Sequence, residues 1–185
     1  TWAGRKGYLF KRRWLFMKRI YVTSFPWILT DVYLAATDKG MCCIEFARNK
    51  SWAQFIFSLE RQYGLPVEEN QQVFSTTLEK LQRYFAGERI VFNQPIDLLA
   101  GSTFQKKVWD QVARIRYGQV KSYGQIAKEL RNPHAARAVG RANGANPIPV
   151  IIPCHRVVES HGGLGGYSAG ADVKKALLRL EGVLL

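Results

Sequence analysis

The chain has 185 residues, of which 47% are hydrophobic and 22% charged, proportions typical of a folded globular protein rather than a disordered one. No segment has the ~20 consecutive apolar residues that a membrane-spanning helix needs. The charged residues near the start interrupt the apolar core that a signal peptide requires. We therefore expect a cytoplasmic protein, or a nuclear one in a eukaryote.

Positive charge is concentrated in two segments. The net charge is +13; residues 1–20 carry seven Lys or Arg and no acid, and residues 105–145 carry nine against two acids. Residues 21–104 are slightly acidic. A basic segment beside an acidic half indicates a surface that binds a polyanion rather than a merely solvated one. Met17 is a candidate native initiator, so we treat residues 1–16 as a basic tail that is not necessarily native.

The first half predicts a mixed α/β domain over residues 17–98, with a small antiparallel sheet. The turn at 37–40, Thr-Asp-Lys-Gly, joins two strands as a hairpin. Ser51 is a helix cap, and Gly64 is the matching helix stop. The predicted strands are residues 20–25, 32–36, 41–46 and 90–92.

A second helix of this domain is predicted after residue 75. Thr76 and Glu79 have the spacing of a capping box, in which a side chain at each position bonds the backbone of the other. Gly87 is the corresponding stop. Residues 93–99 then form a connector to the second half.

The second half, residues 99–185, predicts a mainly helical domain. Its third helix ends near Gly144. The two short helices before that glycine form a helix-turn-helix candidate, and they lie within the basic segment. Two capping boxes and one Asn-Pro cap mark the helix starts: Ser102 with Gln105, Ser122 with Gln125, and Asn132 with Pro133.

A proline-rich segment follows at 147–153. Each proline disfavours a helical preceding residue, so this segment is predicted to be extended and stiff. It ends at Cys154 and is followed by a glycine-rich loop at 162–166. A last helix carries Val173, Ala176, Leu177 and Leu180 inward and ends at Glu181-Gly182.

Cys154 is the only cysteine with an adjacent histidine. A free thiol with a pKa of about 8.5 is only a few per cent thiolate at neutral pH, so a nucleophile needs a nearby base or positive charge. His155 and Arg156 are close in sequence, but adjacent residues do not face each other on a strand or helix. Contact between Cys154 and His155 therefore requires a bridging water or a tight turn. Three downstream carboxylates are candidates for orienting His155: Glu159, Asp172 and Glu181.

Neither a disulfide framework nor a metal site is predicted. Cys42 and Cys43 are adjacent and point to opposite faces of a strand, which favours free thiols and a reducing compartment. The three histidines are His134, His155 and His161, and the chain has no CxxC or HxxxH spacing.

Residues 153–157, Pro-Cys-His-Arg-Val, preceded by Asn-Pro-Ile-Pro at 146–149, strongly resemble the active-site signature of the O6-alkylguanine-DNA alkyltransferases. The resemblance runs in order from about Ser102 to Gly182. It implies an α+β fold with an RNase H-like N-terminal domain and a winged-helix-like C-terminal domain. Its further matches are residues 122–125, 135–140, 166–168 and 180–182.

The resemblance implies a DNA-repair activity that consumes the protein. An alkyl group, typically methyl, would pass from O6 of guanine, or O4 of thymine, to Cys154 in one irreversible turnover without a cofactor. The implied partner is double-stranded DNA containing O6-alkylguanine, and the implied protein is a monomer. His155 would act as a water-mediated base and Glu181 would orient it. Asn146 would be a hinge residue, and Tyr123 would donate a proton or hydrogen bond to the guanine ring.

The remaining implied roles concern the flipped base and the duplex. The alkyl carbon is hidden in the base stack, so the nucleotide must be extruded. Arg137 would fill the space it leaves, on a helix that enters the minor groove. Ser168 would contact O6, and the backbone near Val157 would read the exocyclic amine. Further contact residues are Tyr167 for the base and Ser122, Ala136 and Gly140 for the DNA.

Three departures from the family bear on these expectations. Some relatives hold a structural zinc with Cys and His in the first domain, but residues 1–104 contain no His, so no such zinc is predicted. Ala169 occupies a position where glycine is frequent, which narrows the expected pocket. Cys154 is present, whereas relatives that only flag damage carry Trp there.

Two other functions fit parts of the pattern. A non-catalytic helix-turn-helix regulator would explain the basic segment, and would keep full function without Cys154. A cysteine hydrolase would explain Cys154, His155 and Glu181, but it gives no reason for the basic segment.

Overall fold

The computed structural model describes residues 18–48 and 50–183, so the basic tail at 1–16 lies outside the described residues. The described chain is a mixed α+β protein with a small sheet in the first half and mainly helices in the second. The sheet has the order β3-β2-β1-β4. Its strands are β1 (Ile20–Trp27), β2 (Thr30–Thr37), β3 (Gly40–Phe46) and β4 (Val67–Glu69).

Strands β1, β2 and β3 form the predicted antiparallel meander, and β3 begins at Gly40 as the turn signal indicates. The sheet is not wholly antiparallel, because β4 pairs in parallel with β1. The predicted strand at 90–92 is wrong. The connector lies beside Met41 instead. Met41 donates its N–H to the Pro95 carbonyl at 3.0 Å, and its carbonyl accepts from the Asp97 N–H at 2.8 Å.

Alternation along β2 separates two apolar clusters, because successive side chains point to opposite faces. Tyr33 and Ala35 face helix α1 (Trp52–Tyr63), and they pack with its buried Phe55. Val32, Leu34 and Ala36 face the larger core instead. Helix α1 has the predicted cap at Ser51, which forms a capping box with Gln54, and a left-handed Gly64 at its end.

Helix α2 (Ser75–Phe85) does not begin with the predicted Thr76–Glu79 capping box. A 3-10 turn at Gln71–Phe74 precedes it, so Thr76 already lies within the helix. Asn70 caps that turn by accepting a hydrogen bond from the Gln72 N–H at 3.2 Å. The buried Phe74 side chain fixes the entry to α2 in place of a polar cap.

The second half contains four helices and a short parallel pair, β5 with β6, in the described residues. Both predicted capping boxes, at Ser102 and Ser122, are confirmed. Asn132 makes no side-chain cap, and Pro133 starts a 3-10 turn (Pro133–Ala135) instead. The elements are α3 (Thr103–Ala113), β5 (Lys121–Ser122), α4 (Tyr123–Glu129), α5 (Ala136–Gly144), β6 (Val157–Val158) and α6 (Ala171–Leu180).

The proline-rich segment is folded back on itself, contrary to the predicted extended form. The Ile152 N–H donates to the Ile148 carbonyl at 2.9 Å, and Val150 between them has a φ of 74°. Asn146 closes the turn by donating its side-chain N–H to the Ile152 carbonyl at 2.7 Å. The prolines therefore prevent a helix without straightening the chain.

The two halves share one apolar core. Buried side chains of α2 and of the sheet pack with those of α3, the proline turn and α6. Polar contacts reinforce this junction: Ile44 donates its N–H to the Pro147 carbonyl at 2.9 Å, and Arg48 pairs with Asp172 at 2.6 Å. The site described below therefore rests on both halves.

Gly101 provides a test of the packing at the start of α3. It has a φ of 108°, and a Cβ there would lie 2.5 Å from the Trp109 ring. We expect Gly101→Ala to destabilise the protein by a few kcal/mol, combining left-handed backbone strain with overpacking of roughly 1–3 kcal/mol. Gly87→Ala is the control, because Gly87 has a φ of 93° and nothing within 4 Å of the added Cβ. Equal losses in urea unfolding for both variants would contradict the role assigned to Trp109.

Candidate active site

The nucleophile candidate lies on a tight turn rather than at the end of an extended segment. Cys154 begins a 3-10 turn (Cys154–Arg156) directly after Pro153, and its side chain is buried. The Asn143 side chain of α5 donates to the Cys154 carbonyl at 3.1 Å. Asn146 contacts the turn through Ile152 and also interacts with the thiol. The structure thus ties Cys154 to the helix that carries Arg137.

His155 is fully buried and points to a carboxylate. Its Nε2 lies 2.9 Å from Glu181 Oε1, and the Tyr84 hydroxyl donates to the same oxygen at 2.6 Å. Of the three candidate carboxylates, the structure therefore brings Glu181 to His155. Asp172 pairs with Arg48, and Glu159 lines the open cavity described below.

Arg156 completes this network on the other side of Glu181. Its Nε and Nη2 donate to the two carboxylate oxygens, each at 2.9 Å. Burial would raise the pKa of Glu181, but hydrogen bonds from His155 and Arg156 outweigh it and lower the pKa to about 2. Arg156 thus forms an ion pair with Glu181 and is not the cation beside the thiol.

His155 remains a neutral base candidate. Burial lowers the pKa of His155, opposed by the hydrogen bond and charge of Glu181. Because Glu181 accepts at Nε2, the proton is assigned to that nitrogen and Nδ1 is left as an acceptor. Nδ1 is buried and has no hydrogen-bond partner among the described residues, and the ring makes no direct hydrogen bond to the thiol.

The cation near Cys154 is Lys174, which sequence reasoning missed. Burial raises the pKa of Cys154, whereas Asn146, Tyr167 and the charge of Lys174 oppose that rise. The Lys174 ammonium is buried and donates to the Val157 carbonyl at 2.6 Å and to the Leu164 carbonyl. Burial lowers its own pKa to about 8. The lysine lies on the buried face of α6, between Val173 and Leu177 in the sequence. A charged residue on an otherwise apolar helix face could have been recognised from the sequence.

Tyr84 is the second residue that sequence reasoning missed. It follows Leu81 by three positions on the buried face of α2. At that spacing an aromatic residue has the sequence pattern of an ordinary core side chain. Its hydroxyl contact with Glu181 is a pairing of distant segments. That pairing leaves no local trace in the sequence.

An open cavity of about 720 Å³ lies on the helix-turn-helix side of the site. Tyr123 and Tyr167 line it; burial raises the pKa of both hydroxyls, and the charge of Cys154 adds to each rise. The Tyr167 hydroxyl is buried and has no hydrogen-bond partner of ordinary geometry among the described residues. Four further predicted residues also line this cavity: Ala136, Arg137, Gly140 and Ser168.

Small residues shape this cavity around Tyr123. A Cβ at Gly165 would lie 2.6 Å from the Tyr123 hydroxyl, and one at Gly140 would lie 3.7 Å from its ring. Arg137 is exposed on α5 at the cavity edge. Ser122 is used differently, because its hydroxyl accepts the Gln125 N–H at 3.1 Å as a helix cap. Val157 is buried on β6, and its carbonyl holds Lys174.

The described residues contain no group of three or more His, Cys, Asp or Glu side chains arranged to hold a metal ion. All three cysteines are free thiols. Within the same residues, no helix is both long and apolar enough to cross a membrane.

Family comparison assigns both halves. Residues 20–98 match the family model for the 6-O-methylguanine DNA methyltransferase ribonuclease-like domain, and residues 103–183 match the model for the DNA-binding domain of the same enzymes. The chain belongs to the 6-O-methylguanine DNA methyltransferase family. The comparison also confirms the family suggested by the Pro-Cys-His-Arg-Val segment.

Individual relatives agree with this assignment. A methylated-DNA–protein-cysteine methyltransferase of Methanosarcina acetivorans is 38% identical over 88% of this chain and 99% of its own length. One from Mycolicibacterium paratuberculosis is 50% identical over 61% of this chain and 68% of its own. The crystal structure of Mycobacterium tuberculosis OGT in complex with DNA has a TM-score of 0.73 at 35% identity, covering 87% of this chain and 92% of that one.

Glu181 should dominate the acid sensitivity of folding. Its folded-state pKa of about 2 lies below the ordinary value of 4.5. The stabilisation is therefore present above pH 4.5 and is lost as the pH falls toward 2. We expect Glu181→Gln to lower the free energy of unfolding by on the order of 3 kcal/mol at pH 7, with a smaller loss at pH 3.

Urea unfolding at the two pH values measures this loss. Glu129→Gln is the control, because its pair with Lys121 is partly exposed to solvent and should contribute less than about 1 kcal/mol. A pH-independent difference between wild type and Glu181→Gln would contradict the ionised carboxylate.

Proposed function

We propose that this protein repairs DNA by direct transfer of an alkyl group, typically methyl, from O6 of guanine, or O4 of thymine, to Cys154. One observation carries the proposal: Tyr167, which interacts with the Cys154 thiol beside the His155–Glu181 network, lines a cavity that is also lined by Arg137 and by Gly166 of the glycine-rich loop. A nucleobase extruded from a duplex bound at α4 and α5 would enter this cavity. The relatives named as methyltransferases support this activity over a non-catalytic regulator.

DNA binding would depend on shape and charge rather than on sequence. The basic segment provides phosphate contacts that suit a scanning protein. Arg137 would enter the stack in place of the extruded nucleotide, and the small Ala136 and Gly140 would permit close approach of the DNA backbone. The proposed partner is double-stranded DNA, bound by a monomer in the cytoplasm, or in the nucleus of a eukaryotic cell.

The chemical step would begin with removal of the thiol proton. Burial keeps the resting thiol protonated, so a base must act when substrate is bound. The His155 Nδ1 would take the proton through a water molecule while Glu181 holds the opposite nitrogen. Lys174 would stabilise the thiolate charge as it forms.

The thiolate sulfur would then displace guanine at the alkyl carbon. A sulfur–carbon bond forms, the carbon–O6 bond breaks, and its electron pair passes to the guanine ring. Tyr123 would supply a proton or hydrogen bond to a ring nitrogen, which neutralises the leaving group. The reaction balances without a cofactor. The thioether product has no ready leaving group, so each protein would act once.

A mass measurement tests the activity directly. Incubation with a duplex containing O6-methylguanine should add one methylene, ~14 Da by arithmetic on CH₂, to the peptide carrying Cys154. The stoichiometry should not exceed one per chain. Cys154→Ser should remain unmodified, and Cys43→Ser should react like the wild type because Cys43 packs against the apolar cluster beside α1. Repeated turnover, or no change in mass, would refute the proposal.

Arg137→Ala separates base extrusion from thiol chemistry. We expect the repair rate on duplex DNA to fall roughly tenfold or more, because unstacking a base costs a few kcal/mol. The rate of reaction with iodoacetamide should be unchanged. Arg61→Ala, which removes a positive charge from α1, is the control for net charge. If both rates of Arg137→Ala fell equally, the extrusion role would be wrong.

A further inference from the structure

Three helices in the described part of the chain, α2, α4 and α6, end in the same backbone turn. In each turn a left-handed residue donates its N–H to the carbonyl three positions earlier, and the next residue donates to the carbonyl five positions earlier, at 2.9 to 3.0 Å. The left-handed residues are Gly87, Arg131 and Gly182, with φ of 93°, 57° and 75°. Glycine is the usual residue at this position because it has no Cβ to clash with the backbone. Arg131 is therefore strained where the other two helices use glycine.

No contact within the described residues offsets this strain. The Arg131 side chain is exposed, and it makes no hydrogen bond or ion pair with any residue in the described ranges. A cation is favourable at the C-terminal end of a helix, but α4 already has Lys128 in its last turn. Helices α2 and α6 have Arg83 and Arg179 there, and both still end in glycine. The helix dipole therefore does not account for Arg131.

Arg131 lies in the turn of the helix-turn-helix. Asn132 and the 3-10 turn Pro133–Ala135 connect it to α5, whose second residue is Arg137. In helix-turn-helix proteins the start of the second helix enters a groove, while the first helix crosses the sugar-phosphate backbone. The turn that joins the two helices is therefore expected beside the backbone at the edge of the groove.

The charges around this turn suit a phosphate. Residues 130–145 contain three arginines and no acid: Arg131, Arg137 and Arg141. The adjacent Glu129 is paired with Lys121, so it does not balance them. A guanidinium can donate two parallel hydrogen bonds to phosphate oxygens, which makes arginine a specific phosphate ligand as well as a cation.

We propose that Arg131 is a DNA-binding residue whose guanidinium holds a backbone phosphate of the duplex, and that this contact explains a strained helix end. The inference rests on the proposed binding of duplex DNA at α4 and α5. The two hydrogen bonds of the turn fix the backbone of Arg131, so its side chain extends from a rigid position next to α5. Contact with a phosphate there keeps Arg137 in register with the extruded nucleotide.

Arg131→Gly separates stability from DNA binding. Its melting temperature should not fall below that of the wild type, because glycine adopts the left-handed conformation without strain. Its affinity for an undamaged duplex should fall roughly tenfold at low salt, and the slope of log K against log salt concentration should flatten by about one. Arg131→Lys keeps the positive charge and should retain the wild-type slope.

Two variants are matched controls. Arg61→Ala removes the same charge from α1, away from the helix-turn-helix, and should retain the wild-type salt slope. Gly87→Arg places an arginine in the same turn at the end of α2, where nothing lies within 4 Å of the added Cβ. It should lower the melting temperature through backbone strain and leave the salt slope unchanged.

Three results would overturn the inference. An unchanged salt slope in Arg131→Gly would exclude the phosphate contact. A melting temperature of Arg131→Gly below that of the wild type would show that arginine is not strained there, and so would a wild-type melting temperature for Gly87→Arg. In each case the proposed function stands if wild type still transfers the methyl group to Cys154. If wild type neither binds the duplex nor gains mass on Cys154, the proposed function fails as well.

Discussion

The buried carboxylate of Glu181 is the interaction on which the rest of the site depends. It receives hydrogen bonds from the Tyr84 hydroxyl, from His155 and from two nitrogens of Arg156. A carboxylate removed from water is tolerated only when donors replace its hydration, and these donors come from two parts of the chain that are distant from each other and from Glu181. The end of α6, the reactive turn and α2 of the first half therefore form one structural unit. Loss of any donor would leave a buried charge undersatisfied.

Two buried cations of the site, Arg156 and Lys174, have different roles that the sequence alone does not distinguish. Arg156, adjacent to His155 in the chain, balances Glu181 and keeps it ionised. The charge of Lys174 instead opposes the rise that burial causes in the pKa of Cys154, which lowers the cost of forming a thiolate in a buried position. Because the resting thiol stays neutral, the sulfur would become reactive chiefly when a base is in place. That property suits a protein that can react only once.

Local signals in the sequence predicted much of the fold. The cap at Ser51 and the capping boxes at Ser102 and Ser122 depend on residues within one helical turn, so they could be identified without tertiary information. The Thr76–Glu79 box had the same spacing but was overridden by Phe74, whose burial set the start of α2. Strand β4 was missed because it has only three residues and pairs in parallel with β1.

The candidate site could be predicted only in part, for a related reason. Cys154, His155 and Glu181 were named from one chemical requirement and a family resemblance, and the structure brings all three together. Tyr84 and Lys174 lie on buried helical faces, where an aromatic ring or an aliphatic stem packs like any core residue. Their polar ends acquire a role only through segments that are distant along the chain. The proline turn shows the same limit. Prolines exclude a helix, but the direction of the chain is set by the hydrogen bond from the Asn146 side chain to the Ile152 carbonyl.

The two sides of Cys154 differ in polarity, and this difference organises the proposed chemistry. On the inner side, His155, Glu181 and Arg156 form a network shielded from water, where hydrogen bonds are strong and proton positions are fixed. On the outer side, Tyr123, Arg137 and Glu159 line an open cavity whose charges are free to meet a ligand. Cys154 is adjacent to His155 in the chain and interacts with the cavity-lining Tyr167, so in the proposed mechanism the same sulfur would be deprotonated from within and would attack outward. A nucleobase that fills the cavity would exclude water from that boundary and strengthen the interactions on both sides.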